Sequence, residues 1–358
     1  MSAPRRPVKR LGRAGALPRP EPRGDRASGQ ATIADVARYA GVSTSTVSRV
    51  LRQPAIVSEA LRVKVREAVD RLDYVPNQMA TGLAAAQGRQ VGVIVPSILN
   101  AFFSATVDAL TERLRQGGRQ VLLGTTDYDE ACEEDLIESF VAWQPGAIVV
   151  TGLRHARRAA RLLLAARAPV IEMWEIGEAP IDYAVGFSHR AVGRAQARHL
   201  LAAGRRRIAF IGAYLDRDQR AATRAEGYAE AVREAGHAPI VAAIDGRSSA
   251  GAGAAALAQV LAEHPDVDAL CCSNDVMALG ALFEAQRRGL AVPDRLALVG
   301  FGDLDFAGQT VPPLTTVRPP ARAIGEAAAD IVEAAARGER PSRRVFDLGF
   351  ELLARGTG

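Results

Sequence analysis

Between Ser43 and Leu51 the run STSTVSRVL places Thr44, Ser45, Thr46, Ser48 and Arg49 among Val47, Val50 and Leu51. At 3.6 residues per turn the apolar side chains fall on one helix face and the hydrogen-bonding ones on the other. Hydroxyls and a guanidinium on one face suit the edges and backbone of a duplex. A guanidinium fork matches guanine O6 and N7, which is worth about 1–3 kcal/mol against a wrong base. Hydroxyls give weaker or water-mediated readout, or contact phosphate, which positions without specifying. An ordinary solvated helix face would carry a Glu/Lys mixture instead.

Such a helix has to be presented by its neighbours. Ile33, Val36, Ala37 and Ala40 recur at i, i+3, i+4 and i+7 behind Thr32, which reads as an N-cap, and Gly41 stops the pattern. Ser43 can then cap the second helix. A helix, a tight Gly-containing turn and a second helix form a helix-turn-helix, whose second helix enters the major groove N-terminus first. A third capped helix is expected from Ser58 to Leu72, and the segment YVPNQMATGLA, Tyr74 to Ala84, follows it.

Charge is distributed in keeping with that reading. Residues 1–30 hold seven Arg and one Lys against Glu21 and Asp25, a net of +6, with five Pro and four Gly, and read as a disordered basic arm. Residues 31–90 carry +3 and the remainder −4, within a total of +5 over 358 residues. Positive charge is thus confined to the end expected to meet phosphate. The three cysteines, Cys132, Cys271 and Cys272, are too few for a disulfide framework and have no metal-ligand spacing. The adjacent Cys271 and Cys272 lie in the apolar run DALCC and alternate faces of a strand, either as buried packing or as a redox switch. No apolar run approaches a membrane span and no apolar leader core is seen, so a cytoplasmic protein without a membrane partner is expected.

From Val91 onward the pattern changes. Apolar runs at 91–95, 121–125, 147–151, 169–173, 183–187, 207–212, 239–244, 268–273, 296–301 and 315–319 read as strands. Most are separated by amphipathic stretches such as 105–116, 133–143, 155–166, 191–203 and 224–235. Strand and helix in alternation predict an α/β body of parallel sheets covered on both faces, and about ten strands suit two sheets.

Taken together, TIADVARYAGVSTSTVSRVL, the helix from Ser58 and YVPNQMATGLA resemble the head and hinge of the lactose-repressor (LacI/GalR) family of bacterial transcription regulators. The resemblance is dense over about 55 residues and looser to the C-terminus. It implies an all-α helix-turn-helix head at 31–76, a hinge helix and linker at 77–90, and a two-lobed body at 91–358 shaped like a periplasmic sugar-binding protein. Each lobe would hold one doubly wound parallel sheet. Lobe 1 would take about 91–188 and 318–347, and lobe 2 about 189–317 and 348–358, with crossings near 187–190, 317–320 and 346–349.

The resemblance also implies site residues. Thr44, Ser45 and Arg49 match the base-reading positions, and Thr32, Thr46, Ser48 and Asn77 are assigned to phosphate or backbone. Ala80 and Leu83 belong to the hinge contact, Leu83 being wedged into the central base step of the minor groove. Ligands of open α/β sheets bind outside the carboxyl ends of strands, so the effector should lie between the lobes. PSILNAFFSATVDAL puts Asn100, Phe102 and Phe103 at its mouth, with one phenylalanine, assigned as Phe103, on the ligand and the other in the core. RDQRAATRAEGYAEAV supplies Arg224 in the place of the family's ligand-binding arginine, and CCSNDVMALGAL supplies Asn274 as a hydroxyl contact. The next residue, Asp275, would cap the helix or serve the dimer interface. In VGFGDLDF, Gly302 stands where the lactose repressor has an Asp, which puts the hexopyranoside contact in question.

Residues 125–156, PVIEMWE, AVGFSHRAVGRAQARHL and VGFGDLDF resemble the gluconate-operon repressor branch. That branch implies a sugar-acid effector, with Arg224 on the carboxylate and Glu175, Asn274 and Asp303 on hydroxyls. The expectation is a homodimeric repressor on a near-palindromic operator, released by its effector, with no cofactor and no metal. The alternatives are a corepressor logic or a sugar receptor of a transport system. An enzyme is not indicated. Residues Gly251 to Ala256, GAGAAA, mimic part of a dinucleotide fingerprint, but no P-loop, zinc pair or nucleophile elbow occurs, and the five histidines are scattered.

Overall fold

A computed structural model describes residues 31–75 and 88–358. The arm 1–30 and the hinge positions Asn77, Ala80 and Leu83 lie outside the described residues. The chain divides into two compact units, one up to Thr81 and one from Gly82.

The first unit is three helices, α1 (Ile33–Ala40), α2 (Thr44–Arg52) and α3 (Glu59–Arg71), with a 3-10 turn at Pro54–Ile56. Thr32 and Ser43 cap the first two helices as expected, each accepting the backbone N–H three residues on. Gly41 ends α1 at φ +66°, and its N–H reaches the Ala37 and Arg38 carbonyls. A Cβ there would be strained, and the tight turn rests on its absence. Val36, Val47, Val50, Val65 and Ala68, one stripe from each helix, form the small core.

The second unit carries two six-stranded sheets. The first runs β11-β5-β4-β3-β1-β2, from β1 (Gln90–Val95), β2 (Gln120–Thr125), β3 (Ala147–Thr151), β4 (Val170–Met173), β5 (Tyr183–Gly186) and β11 (Val345–Asp347). All its pairings are parallel. The second runs β12-β10-β9-β8-β6-β7, from β6 (Ile208–Ala213), β7 (Ile240–Ile244), β8 (Ala269–Cys272), β9 (Ala297–Phe301), β10 (Thr315–Arg318) and β12 (Glu351–Leu353). Only β12 is antiparallel to its neighbour. The two terminal strands are three residues long and part exposed, too short to show as runs in the sequence.

Alternation along the strands assigns the layers. In β1, Val91, Val93 and Val95 pack beneath α4 (Ala101–Gln116) and α11 (Ala321–Ala336), while Ile94 faces α5 (Glu130–Trp143) and α6 (Arg157–Ala165). In β8, Cys272 faces α9 (Ala250–Glu263) and α10 (Asp275–Arg287), and Cys271 faces α7 (His189–Ala202) and α8 (Gln219–Glu234). Both thiols are fully buried, and burial raises their pKa above the usual thiol range, the buried-packing outcome. The chain passes between sheets after β5, after β10 and between β11 and β12, so each sheet is assembled from separated stretches. No helix among the described residues is long and apolar enough to cross a membrane.

Candidate functional site

In the head, Thr44, Ser45 and Arg49 are all exposed, while Val47 and Val50 on the same helix are buried. The outward face therefore carries the donors expected of it. Two neighbours are engaged locally. The Thr46 and Ser45 hydroxyls each lie 2.8 Å from Ser43 Oγ. Thr32 donates its hydroxyl to Asp35 at 2.6 Å inside a capping box. Ser48 is half-buried.

In the body the chemistry gathers at the carboxyl ends of the strands. Helix α8 begins at Gln219, five residues earlier than the apolar pattern suggests, because the Asp218 carboxylate accepts the Arg220 and Ala221 N–H groups. This puts Arg220 and Arg224 four apart on one face. Arg224 is 3 % exposed, donates to His189 Nδ1 at 3.0 Å and to the Ser273 carbonyl at 2.8 Å, and stacks 4.1 Å from the centre of the Phe301 ring. Its Nε has no partner. Among the described residues no carboxylate pairs with it, whereas Arg220 reaches Asp218 at 3.6 Å. Burial pulls the Arg224 pKa down to about 10, with Asp218 opposing and Arg220 adding to the fall.

The walls are aromatic. Phe103, 2 % exposed, meets Trp174 at 5.0 Å and lies 5.8 Å from the Arg220 guanidinium, and Phe102 packs beside both rings. Asn100 donates to Tyr128 Oη at 2.6 Å. Tyr128 is itself pushed well above the usual phenol range by burial. Glu175 accepts the Leu153 N–H at 3.3 Å, and its Oε2 approaches Gly152 from the same side as Arg220 Nη1. A cleft bounded by Thr126, Tyr128, Thr151, Arg154, Arg217 and Arg220 opens beside this cluster.

Asn100, Phe103, Glu175 and Arg224 are therefore brought together, and the readings of Asp303 and Asp275 are corrected. Asn274 is the N-cap of α10: its Oδ1 accepts the Met277 N–H at 3.0 Å and its Nδ2 donates to Ser248 at 2.8 Å, which leaves one lone pair and one N–H of the amide for a ligand. Asp303 accepts from Arg318 at 2.7 Å and Arg355 at 2.6 Å and lines a different depression with Ala101, Leu304 and Arg318. Asp275 neither caps nor faces outward. It is fully buried, accepts from Thr316 and the Leu304 N–H, and burial raises its carboxyl to about 6 against those two hydrogen bonds.

Arg220, Tyr128, Trp174 and His189 were missed. The one sequence signal was the spacing of Arg220 and Arg224 behind a capping Asp. A second buried cluster lies at the cleft edge, where His155 sits between Glu133 at 3.0 Å and Glu172 at 3.3 Å. Burial lowers its pKa, but the two carboxylates prevail and hold it up at about 9. No group of three or more metal-ligating side chains is assembled among the described residues.

Residues 32–77 match the family model described as bacterial regulatory proteins, lacI family, and residues 197–357 match the periplasmic binding protein-like domain. The HTH-type transcriptional regulator GntR of Pseudomonas aeruginosa is 42% identical over 332 residues, 92% of this chain and 96% of that protein. A LacI-family transcriptional regulator from Silicibacter pomeroyi superposes with a TM-score of 0.85 at 33% identity, over 91% of this chain and 99% of that one. The lac repressor dimer, crystallised with operator and the anti-inducer ONPF, gives 0.76 at 28% identity over 92% and 99%. A head of this kind separates the chain from transport receptors that share the body's shape. The chain belongs to the LacI family of bacterial regulatory proteins and is a DNA-binding regulator of transcription rather than an enzyme.

Proposed function

We propose that the protein is a cytoplasmic, homodimeric repressor that responds to a sugar acid of the gluconate class. Arg224 and Arg220 hold the effector's carboxylate, Asn100 and Glu175 meet hydroxyls, and Phe103 meets the apolar face. The supporting observation is the uncompensated charge. Two guanidiniums are almost completely removed from water; Arg220 has Asp218 at 3.6 Å and Glu175 on the same side, while Arg224 pairs with no carboxylate among the described residues. A buried charge without a partner is costly unless a ligand supplies it. A neutral sugar would leave that charge unmatched. The GntR name of the Pseudomonas aeruginosa relative fits the same class of effector.

On the DNA side, residues 31–76 form the reading head, with Thr44, Ser45 and Arg49 on base edges and Thr46 and Ser48 on the backbone. Residues 77–90, including Asn77, Ala80 and Leu83, link it to a body at 91–358. A two-fold protein demands a two-fold site, so the operator is near-palindromic. Effector releases DNA by favouring one lobe arrangement over another.

Calorimetry of the full chain with sodium gluconate and with glucose tests the effector. Gluconate should bind and glucose should not. Arg224→Ala should cost about 2 kcal/mol or more, about thirtyfold in affinity. Equal affinity for glucose, or wild-type affinity in the variant, overturns the assignment.

A further inference from the structure

Arg224 rises from α8 over the second sheet, and Trp174 directly follows β4 of the first. One side chain touches both. His189, the first residue of α7, stands directly after the chain has crossed between sheets. Its Nε2 lies 2.8 Å from the Trp174 carbonyl oxygen and its Nδ1 lies 3.0 Å from Arg224 Nη1. A guanidinium only donates, so Nδ1 must be the bare, accepting nitrogen, and Nε2 must carry the proton given to the carbonyl. One neutral tautomer satisfies the geometry.

The surroundings keep it that way. The ring is 2 % exposed and packs against Phe187 at 4.6 Å and Phe301 at 6.0 Å. Burial, with Arg224 and Arg220 close by, pushes its pKa well below the usual imidazole range. Trp174 sits at φ +70°, a conformation that costs a bulky L residue on the order of 1 kcal/mol, and its ring is fixed against Phe102 and Phe103. Its carbonyl is thus aimed by a constrained residue at a constrained ring. An imidazole is rigid. If an anion draws Arg224 Nη1 away, the Nδ1 lone pair follows only by turning the ring, and that turn disturbs the bond at the opposite nitrogen.

We propose that His189 is the positioning residue that couples the anion-binding arginine on one lobe to the backbone of the other. The coupling rests on the reading of Arg224 as the effector's partner. The two ring nitrogens do separable work: Nδ1 orients Arg224 for the ligand, and Nε2–H transmits the ligand's arrival to Trp174.

The two amide replacements separate these roles. Trp174 is one of two tryptophans, and the other, Trp143, is 46 % exposed on α5, so Trp143→Phe leaves a single reporter within the site. In that full-length background, gluconate affinity is measured by calorimetry and the Trp174 response by fluorescence at saturating gluconate. His189→Asn places an oxygen near Nδ1 and nothing near Nε2. Its affinity should stay within about threefold of the parent, because the hydrogen bond to Arg224 survives, while the fluorescence response is lost. His189→Gln places an amide N–H near Nε2 and no acceptor near Nδ1. Its affinity should fall about tenfold or more while the response persists at saturation.

A parent that binds gluconate, with variants that weaken binding alike and keep the response or that change neither, overturns the coupling alone. A parent that does not bind gluconate overturns both the coupling and the reading of Arg224. Nitrogen NMR of the unsubstituted protein needs no variant. It should show the Nε2–H tautomer at His189, with an Nδ1 resonance that moves on gluconate addition, and a protonated or Nδ1–H ring overturns the proposal.

Discussion

Two like charges four residues apart on a helix repel by a few tenths of a kcal/mol, and Arg220 and Arg224 accept that cost in a buried position. The sequence pointed to Arg224 by likeness to one segment of the family, and likeness in another segment misdirected Asp303. A motif shows where a side chain starts but not which neighbour takes its polar end. Asp303 was drawn to two arginines that arrive from residues 318 and 355. In the head, where the outward face is local to one helix, the periodicity alone put Thr44, Ser45 and Arg49 at the surface. There, Arg49→Ala should weaken operator binding by about 1–3 kcal/mol and relax preference at one base position, as read by competition with operator variants. His155 carries a pH signature. Its folded pKa of about 9 lies above the unfolded value of about 6.5, so its stabilisation is complete below about pH 6.5 and is lost as pH rises through about 9. Urea denaturation should therefore show a larger deficit for His155→Gln at pH 6.5 than at pH 10. A deficit that grows with pH contradicts the ion-pair assignment.

Among the elements, α7 and α8 pack as a pair that has no room for side chains at its crossing. A Cβ on Gly193 would collide with the Arg224 carbonyl, and one on Gly227 with the Arg190 carbonyl. Around that contact Arg190, Arg194 and Arg198 interleave with Glu226, Glu230 and Glu234. Such exposed pairs add little individually, so the glycines set the spacing. Gly193→Ala should lower stability by about 1–3 kcal/mol in urea and weaken gluconate binding, because it pushes against the backbone that carries Arg224. Unchanged gluconate affinity in the variant would detach the helix pair from the site. Ten strands were legible in the sequence as runs of apolar residues, since buried parallel strands need both faces covered. Strands β11 and β12 were not, because three part-exposed residues carry no periodicity.

For the molecule as a whole, the exposed donors of α2 belong to one compact unit and the buried pair Arg220 and Arg224 to the other. A ligand that binds only the folded body stabilises that body by mass action, about 2.7 kcal/mol at one hundred times its dissociation constant. Scanning calorimetry should accordingly show the larger transition rising with gluconate concentration while the head's transition stays in place. A rise in both would mean that the two units unfold together. The order of the strands has a further effect during synthesis. The open edges of β5 and β10 are closed only by β11 and β12, and Thr357 then ties the end of the chain to the Leu298 carbonyl. Neither sheet can be finished until residues 345–357 have left the ribosome. The β5 edge stays open from its synthesis at Tyr183–Gly186 until Val345–Asp347 emerges, and the β10 edge from Thr315–Arg318 until Glu351–Leu353 emerges, intervals in which a neighbouring nascent chain can pair where the protein's own last strands belong.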